Sequence, residues 1–290
     1  MYLTRFRINT ARPEAQRLLT SPHRLHGAVN MAFPEPPPRD GTGPRVLWRL
    51  DPAPAGRHDL LISSPDRPDL THLAEQAGWP SLGQEGWKTF AYGEFLDTLT
   101  EGGIWAFRLT ANPVHHIRRA QDPVGTPTKR AAHITVRHQV GWLLKQEERR
   151  GFAVLRTPLS PVATAEDVTF FADKNGTVRE QGLPSVEGGK PGPVNGAGTT
   201  AESSVATSTT TQETDRWGYQ LVVHNRTPVR FGKPTGSSSH NPRHGIQFTQ
   251  ATFDGLLRIT DIASFRRTLT QGLGKAKAYG CGLMTLAPLR

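Results

Sequence analysis

G-L-G-K-A-K-A-Y-G-C-G, residues 272–282, joins a segment running from Asp261 to Gln271 to the closing run L-M-T-L-A-P-L at 283–289. In the first segment Ile262, Phe265 and Leu269 fall on one side at helical spacing, and the closing run reads as a strand. The chain therefore ends as helix, glycine-rich connection and strand. Glycine enters φ > 0 without a Cβ penalty and lets backbone N–H groups approach an anion, while Lys275 and Lys277 add positive charge beside them. Gly272, Gly274, Lys275, Lys277, Tyr279 and Gly280 are thus candidate phosphate-binding residues. The same segment can also be read as a tight helix-to-strand turn with solvated lysines. It is neither a Walker loop, because no Ser or Thr follows Lys275, nor a dinucleotide fingerprint, because a helix precedes it.

Working back from this end, strands are expected at 248–259, 219–223, 168–172 and 152–156, and a helix from Val136 to Arg150 stopped by Gly151. The first half has the same rhythm. Residues 2–8 alternate as a half-buried strand, a helical region from Pro13 restarts at Ser21-Pro22, and V-L-W-R-L-D (46–51) and H-D-L-L-I-S-S (58–64) read as paired strands. A short helix at 70–77 and a strand at 103–109 complete a β-α-β-β-α-β order, the ferredoxin-like pattern. The expected fold is α+β with tandem ferredoxin-like, RRM-like βαββαβ domains: 1–120, a linker at 121–135, and 136–290. Within the second, 174–215 is Gly, Ser, Thr and Pro-rich with almost no large apolar residue, and reads as a flexible insertion. T-G-S-S-S-H-N-P-R-H at 235–244 is a second candidate mobile loop.

A chain of 290 residues, 36% hydrophobic, can bury a real core. Its formal net charge of +10 favours a polyanionic partner, nucleic acid first, because neutralising phosphates releases condensed counterions. The single cysteine, Cys281, excludes an internal disulfide framework and a Cys-rich zinc site. No long apolar run suggests export or a membrane span, so a cytoplasmic protein with no membrane partner is expected.

Chemistry points to His23 and His26, three residues apart and so on one helical face near a helix N-terminus, where phosphate is favoured. RNA breaks when its 2′-OH attacks the adjacent phosphorus. That reaction needs a base for the hydroxyl, an acid for the 5′-oxygen and cations for the phosphorane, and histidine titrates near neutral pH. Two ordinary surface histidines would have the same spacing. His115 and His116 are adjacent and so diverge on a strand, and His133 and His138 lack a carboxylate or cysteine at ligand-like spacing, so no metal site is assigned, and no cofactor motif is present. Arg118, Arg119, Lys129, Arg130, Arg137, Arg149 and Arg150 could line an RNA groove or form a solvated face.

M-Y-L-T-R at the start, H-R-L-H-G in the first helical region, R-L-T-A-N-P at 108–113, G-L-L-R-I-T-D at 255–261 and Q-G-L-G-K-A-K-A-Y-G-C-G-L-M-T-L-A-P-L at 271–289 together resemble the CasE family of CRISPR-associated endoribonucleases. The resemblance spans both ends and excludes 174–245. It implies tandem ferredoxin-like domains and metal-independent cutting of CRISPR repeat transcripts at the base of a hairpin, leaving a 2′,3′-cyclic phosphate or 3′-phosphate and a 5′-OH. The enzyme would then stay on the hairpin as a subunit of the type I-E Cascade. His26 matches the family's catalytic histidine, and His23 stands where some members have a tyrosine, assisting or orienting RNA. Arg24, Lys129, Arg130 and Arg137 join the glycine-rich segment as expected RNA contacts. A non-catalytic subunit that only holds an RNA hairpin would use the same surface. So would a metabolic enzyme with a small phosphorylated substrate, which would show weak salt dependence and no hairpin preference.

Overall fold

The computed structural model describes residues 1–35, 43–53, 56–81, 86–117, 128–158, 217–232 and 245–289. The expected insertion at 174–215, the loop at 235–244, the strand at 168–172 and residues Arg118 and Arg119 lie outside the described residues.

Strand β1 (Tyr2–Ile8) turns Thr4, Phe6 and Ile8 inward, as its alternation requires. Helices α1 (Pro13–Leu19) and α2 (Pro22–Asn30) follow, each starting with a proline at the first helical turn, where the missing N–H is harmless. Strands β2 (Leu47–Pro52) and β3 (His58–Ser64), helix α3 (Thr71–Ala77) and strand β4 (Trp87–Ala91) complete the set. The sheet runs β2-β3-β1-β4 with every pair antiparallel. Phe6, Ile8, Leu60 and Ile62 from the strands pack with Leu25, Val29, Leu70 and Leu73 from the helices in one buried core.

After α4 (Tyr92–Asp97) come β5 (Ile104–Ala111), the hairpin β6 (Val114–Ile117) with β7 (Lys129–Ala132), α5 (Val136–Leu144), α6 (Glu147–Arg150) and β8 (Phe152–Val154). Then come β9 (Arg156–Pro158), β10 (Trp217–Tyr219), β11 (Leu221–Phe231), β12 (Ile246–Ile259), α7 (Ile262–Gln271) and β13 (Met284–Ala287). The second sheet runs β11-β12-β5-β13, all antiparallel, with β8 also paired to β12. Counting β5, β11, β12 and β13 as its four strands, the order is second-third-first-fourth, as in the first sheet. Both sheets are therefore ferredoxin-like. Gly151, at φ 72°, ends α6 as its sequence position predicts.

The sequence assigns 103–109 to the close of the first βαββαβ unit; the pairing puts this strand, as β5, in the middle of the second sheet, and β4 closes the first. Within the stretch 121–135, expected as a linker, Lys129–Ala132 form β7, paired with β6 across His116↔Arg130. Met1–Leu155 and Leu221–Arg290 form one compact unit, and Arg156–Gln220 a second. In the second, β9 pairs with β10 and the Arg156 guanidinium lies 5.2 Å from the centre of the Tyr219 ring. Among the described residues no helix is long and apolar enough to cross a membrane.

The two sheets of the first unit meet through Arg49. This side chain, 1% exposed, leaves the face of β2 opposite the helices and reaches the second sheet. Its Nε donates to Asp51 Oδ1 at 2.7 Å and its Nη2 to Asp51 Oδ2 and Thr285 Oγ1, both at 2.8 Å. Its Nη1 donates to the carbonyls of Arg108 at 2.8 Å and Leu283 at 3.0 Å. All five guanidinium N–H groups are thereby used. Arg49→Ala leaves a largely buried carboxylate and three other acceptors without their donor. Chemical denaturation should show a loss of about 3–5 kcal/mol relative to the unaltered chain.

Candidate functional site

Helix α2 is set by Ser21, whose hydroxyl accepts from the Arg24 N–H at 3.4 Å, and by Pro22 behind it. Leu25, Ala28 and Val29 bury against the first sheet. This fixes the helix rotation and leaves His23, His26 and Asn30 half-buried on another side, with Arg24 exposed. Asn30 Nδ2 lies 3.3 Å from His26 Nε2, one turn on. A neutral imidazole accepting there carries its proton on Nδ1.

The His26 ring meets Tyr279 edge-on, with centroids 6.4 Å apart and planes at 69°. Tyr279 ends a short 3₁₀ turn, Lys277–Tyr279, inside the glycine-rich segment. Its ring stacks on Phe248 of β12 at 6.0 Å and stands edge-on to Phe231 of β11 at 4.9 Å. The first helical region and the C-terminal segment, about 250 residues apart in sequence, thus converge on one aromatic contact. Phe231 and Phe248 escape the sequence reading because nothing local marks a partner so distant, whereas Asn30, four residues after His26 on one helical face, carries a signal in its spacing.

The glycines of 272–282 have a packing task. Gly272, Gly274, Gly280 and Gly282 all have positive φ, and Ala276 joins them at 60°. A Cβ on Gly280 would sit 2.7 Å from Trp48 Cζ3, and one on Gly272 would sit 2.8 Å from Leu47 Cδ2. Leu47 and Trp48 are successive residues of β2 and point to opposite faces of the sheet, so the segment grips that edge strand from both sides. Gly272 and Gly280 lie against it with no space for a side chain.

The two lysines differ. Lys275 is exposed, its backbone bridged to Asn112. Lys277 turns inward, its Nζ donating to the Gln271 carbonyl at 2.7 Å, and Arg45 N–H donates to Thr270 O beside it. Both close the carbonyl end of α7, where positive charge is favoured. Burial, with repulsion from Arg45, Arg150 and Lys275, holds the Lys277 ammonium down at about 8. Cys281 is buried and its thiol pushed up by that burial.

Arg130 is exposed on β7 and Arg137 on α5, whose N-cap Thr135 accepts from the His138 N–H; Lys129 also belongs to β7. These cations occupy elements separate from α2 and the glycine-rich segment. Beside these elements His115 of β6, His133 between β7 and α5, and His138 of α5 form a cluster, with ring centroids 4.4 and 5.8 Å apart in turn. Burial and its two neighbours lower the His133 titration. Among the described residues no group of three or more His, Cys, Asp or Glu is arranged to hold a metal ion. The open face of the second sheet carries Arg108, which donates from Nε to Asp254 Oδ1 at 2.7 Å, with His224 Nε2 3.1 Å from Asp254 Oδ2. Burial works to raise the Asp254 carboxyl, but Arg108 and His224 outweigh it and hold it at about 2.

The family model described as CRISPR associated protein matches residues 1–288. The CRISPR-associated endoribonuclease Cse3 of Thermus thermophilus is 23% identical over 288 residues, covering 99% of this chain and 100% of that protein. The structure of Thermus thermophilus Cse3 bound to an RNA representing a pre-cleavage complex superposes with a TM-score of 0.60 at 22% identity, covering 99% and 98% of the two chains. A chain of a CRISPR RNA-guided surveillance complex gives 0.52 at 16% identity, covering 100% of both. These likenesses carry the fold.

Gly280→Ala places a methyl against Trp48 in a backbone region that alanine avoids. Denaturation should register a loss of more than about 2 kcal/mol. The Lys277 ammonium sits at about 8 in the folded chain against 10.5 ordinarily, so between these values the unfolded chain binds more protons. Stability should rise as pH climbs through that window and lose this increment in Lys277→Met, as read by paired denaturation curves.

Proposed function

The chain belongs to the CRISPR associated protein family, whose model spans nearly its whole length, and on that premise we propose that it is an endoribonuclease that cuts CRISPR repeat transcripts. The observation that carries the reading is His26. It lies on the first helical region at the spacing the CasE resemblance requires, and its ring abuts Tyr279 of the segment that bears the family's other motif.

In the proposed reaction the RNA 2′-OH attacks the neighbouring phosphorus. The O2′–P bond forms and the P–O5′ bond breaks, giving a 2′,3′-cyclic phosphate and a 5′-OH. One proton leaves the 2′-oxygen and one reaches the 5′-oxygen, and His26 carries one of these transfers. Because imidazole serves as base or acid near neutral pH, this side chain works without a divalent ion. His23, one turn earlier on α2, is the assisting or orienting residue. Arg24 on the same helix and Lys275 on the glycine-rich segment, both exposed, are the cations available to phosphate oxygens. Lys277, occupied at the end of α7, is better suited to supporting the segment than to touching RNA.

Lys129, Arg130 and Arg137 extend the RNA contacts to the β6–β7 hairpin and α5. A-form stems offer phosphates and a wide minor groove, so such cations hold the hairpin by shape and charge. The enzyme acts in the cytoplasm, remains on the hairpin it has cut and serves as a subunit of a Cascade complex. Its likeness to a chain of a CRISPR RNA-guided surveillance complex supports this place.

The test is cleavage of the host's repeat RNA in EDTA, with a parallel RNA carrying a 2′-deoxy nucleotide at the cut. The unaltered chain should cut only the first, and His26→Ala should slow it at least ~100-fold while retaining hairpin affinity. Full cleavage by His26→Ala overturns the assignment of that residue. Binding without cleavage by the unaltered chain would instead identify a subunit that only holds RNA.

A further inference from the structure

The open face of the first sheet is covered unevenly. At the β2 edge Arg49 carries it onto the second sheet, and Tyr92 of α4 is buried at the start of β1, but farther along the β1–β4 pair Arg7, Lys88 and Phe90 stay exposed. Since Thr4, Phe6 and Ile8 point into the core, Arg5 and Arg7 necessarily point outward. Lys88 is the direct register partner of Arg5 across the β1–β4 pair, and Phe90 is the partner of Leu3 on the same face.

Two like charges opposite one another weaken a strand pair. Here a third cation, Arg7, stands two residues along. Among the described residues none of the three forms an ion pair, and Asp59, the β3 register partner of Arg7, makes none with it. Arg5, Arg7 and Lys88 line a cavity of about 330 Å³ with Gly86 and Trp87. Next to Lys88 on this face, Phe90 is 55% exposed, one of the few large apolar side chains that the fold leaves in water.

We propose that this face binds single-stranded RNA, with phosphates held by Arg5, Arg7 and Lys88 and a base stacked on Phe90. An anion converts the opposed cations from a cost into a contact. Phosphate-binding cations beside an exposed aromatic ring on a sheet are what unpaired nucleotides need, because every base has a face to stack and a backbone charge to neutralise. An acidic protein surface would use the cations but would leave Phe90 without a planar partner. The inference rests on the reading of the chain as an RNA-binding enzyme and adds a site distinct from α2 and the glycine-rich segment. Its occupant is an unpaired extension of the RNA whose hairpin is cut.

The experiment uses the full chain and fluorescence polarisation with three labelled RNAs: the repeat hairpin alone, the hairpin with its single-stranded 5′ extension, and an unstructured oligonucleotide. The extension should strengthen binding by the unaltered chain. Arg5→Gln with Lys88→Gln should remove that gain and lower the magnitude of the salt slope for the extended RNA by about 1.4, at ~0.7 for each phosphate no longer neutralised. Phe90→Ala should weaken binding of the unstructured RNA about tenfold. In both variants, checked for native circular dichroism, affinity for the bare hairpin and its cleavage should be unchanged. An extension that adds nothing in the unaltered chain, or adds the same in the variants, overturns the proposal. Cleavage of the bare hairpin reads the enzymatic assignment separately. Cleavage without an extension effect rejects this site alone, while an extension effect without cleavage keeps the site and rejects the nuclease.

Discussion

A guanidinium with all five N–H groups used holds the two sheets of the first unit together. Arg49 leaves β2, forks onto Asp51 two residues along the same strand, and finds its remaining acceptors at Arg108, Leu283 and Thr285 of the second sheet. Burying a charge so completely is costly unless every donor finds an acceptor in good geometry. The arrangement therefore tolerates little displacement of β2 relative to β5 and β13. Lysine could not replace it, because three donors on a flexible stem cannot reach four separate groups on two sheets.

The same strand is then the edge around which the C-terminal segment folds. Gly272 approaches Leu47 on one face of β2 and Gly280 approaches Trp48 on the other, at distances that leave no room for a side chain. Once the segment is seated in this way, its 3₁₀ turn delivers Tyr279 to the His26 ring. The glycines thus have a packing task of their own. They allow a close approach between backbone and edge strand, and that approach fixes where an aromatic ring meets a histidine.

Most elements are legible in the sequence, but one strand falls to the wrong sheet, and the reason is physical. Residues 104–111 carry Phe107, Leu109 and Ala111 buried, as befits a strand flanked by β12 and β13. The true fourth strand of the first sheet, W-K-T-F-A, is an edge strand that among the described residues pairs only with β1, with Trp87 half-buried and Lys88 and Phe90 exposed. An edge strand buries too little to show a strong alternation, so the more apolar neighbour stands out in its place. The glycine-rich segment differs. Positive φ is legible from the glycines, but the partner that requires it, β2, is not, because sequence reports backbone freedom without naming what comes close. Likewise Lys275 and Lys277 look alike in sequence, and only the carbonyl end of α7 separates an exposed cation from one engaged internally.

His26 is consequently positioned by two independent supports. Leu25 and Val29 anchor its helix in the core of the first sheet, while Phe231 and Phe248 anchor Tyr279 on the second. Neither support sets the ring contact alone; it exists only while the sheets are docked. If His26 carries the proton as proposed, the geometry of that group is coupled to the Arg49 clamp. Loosening the clamp would degrade the site before either sheet unfolds, since an aromatic edge contact over 6.4 Å is a weak restraint compared with a fully used guanidinium. The stability of the docked sheets and the placement of the histidine are therefore expressions of one constraint, applied at β2 and felt at α2.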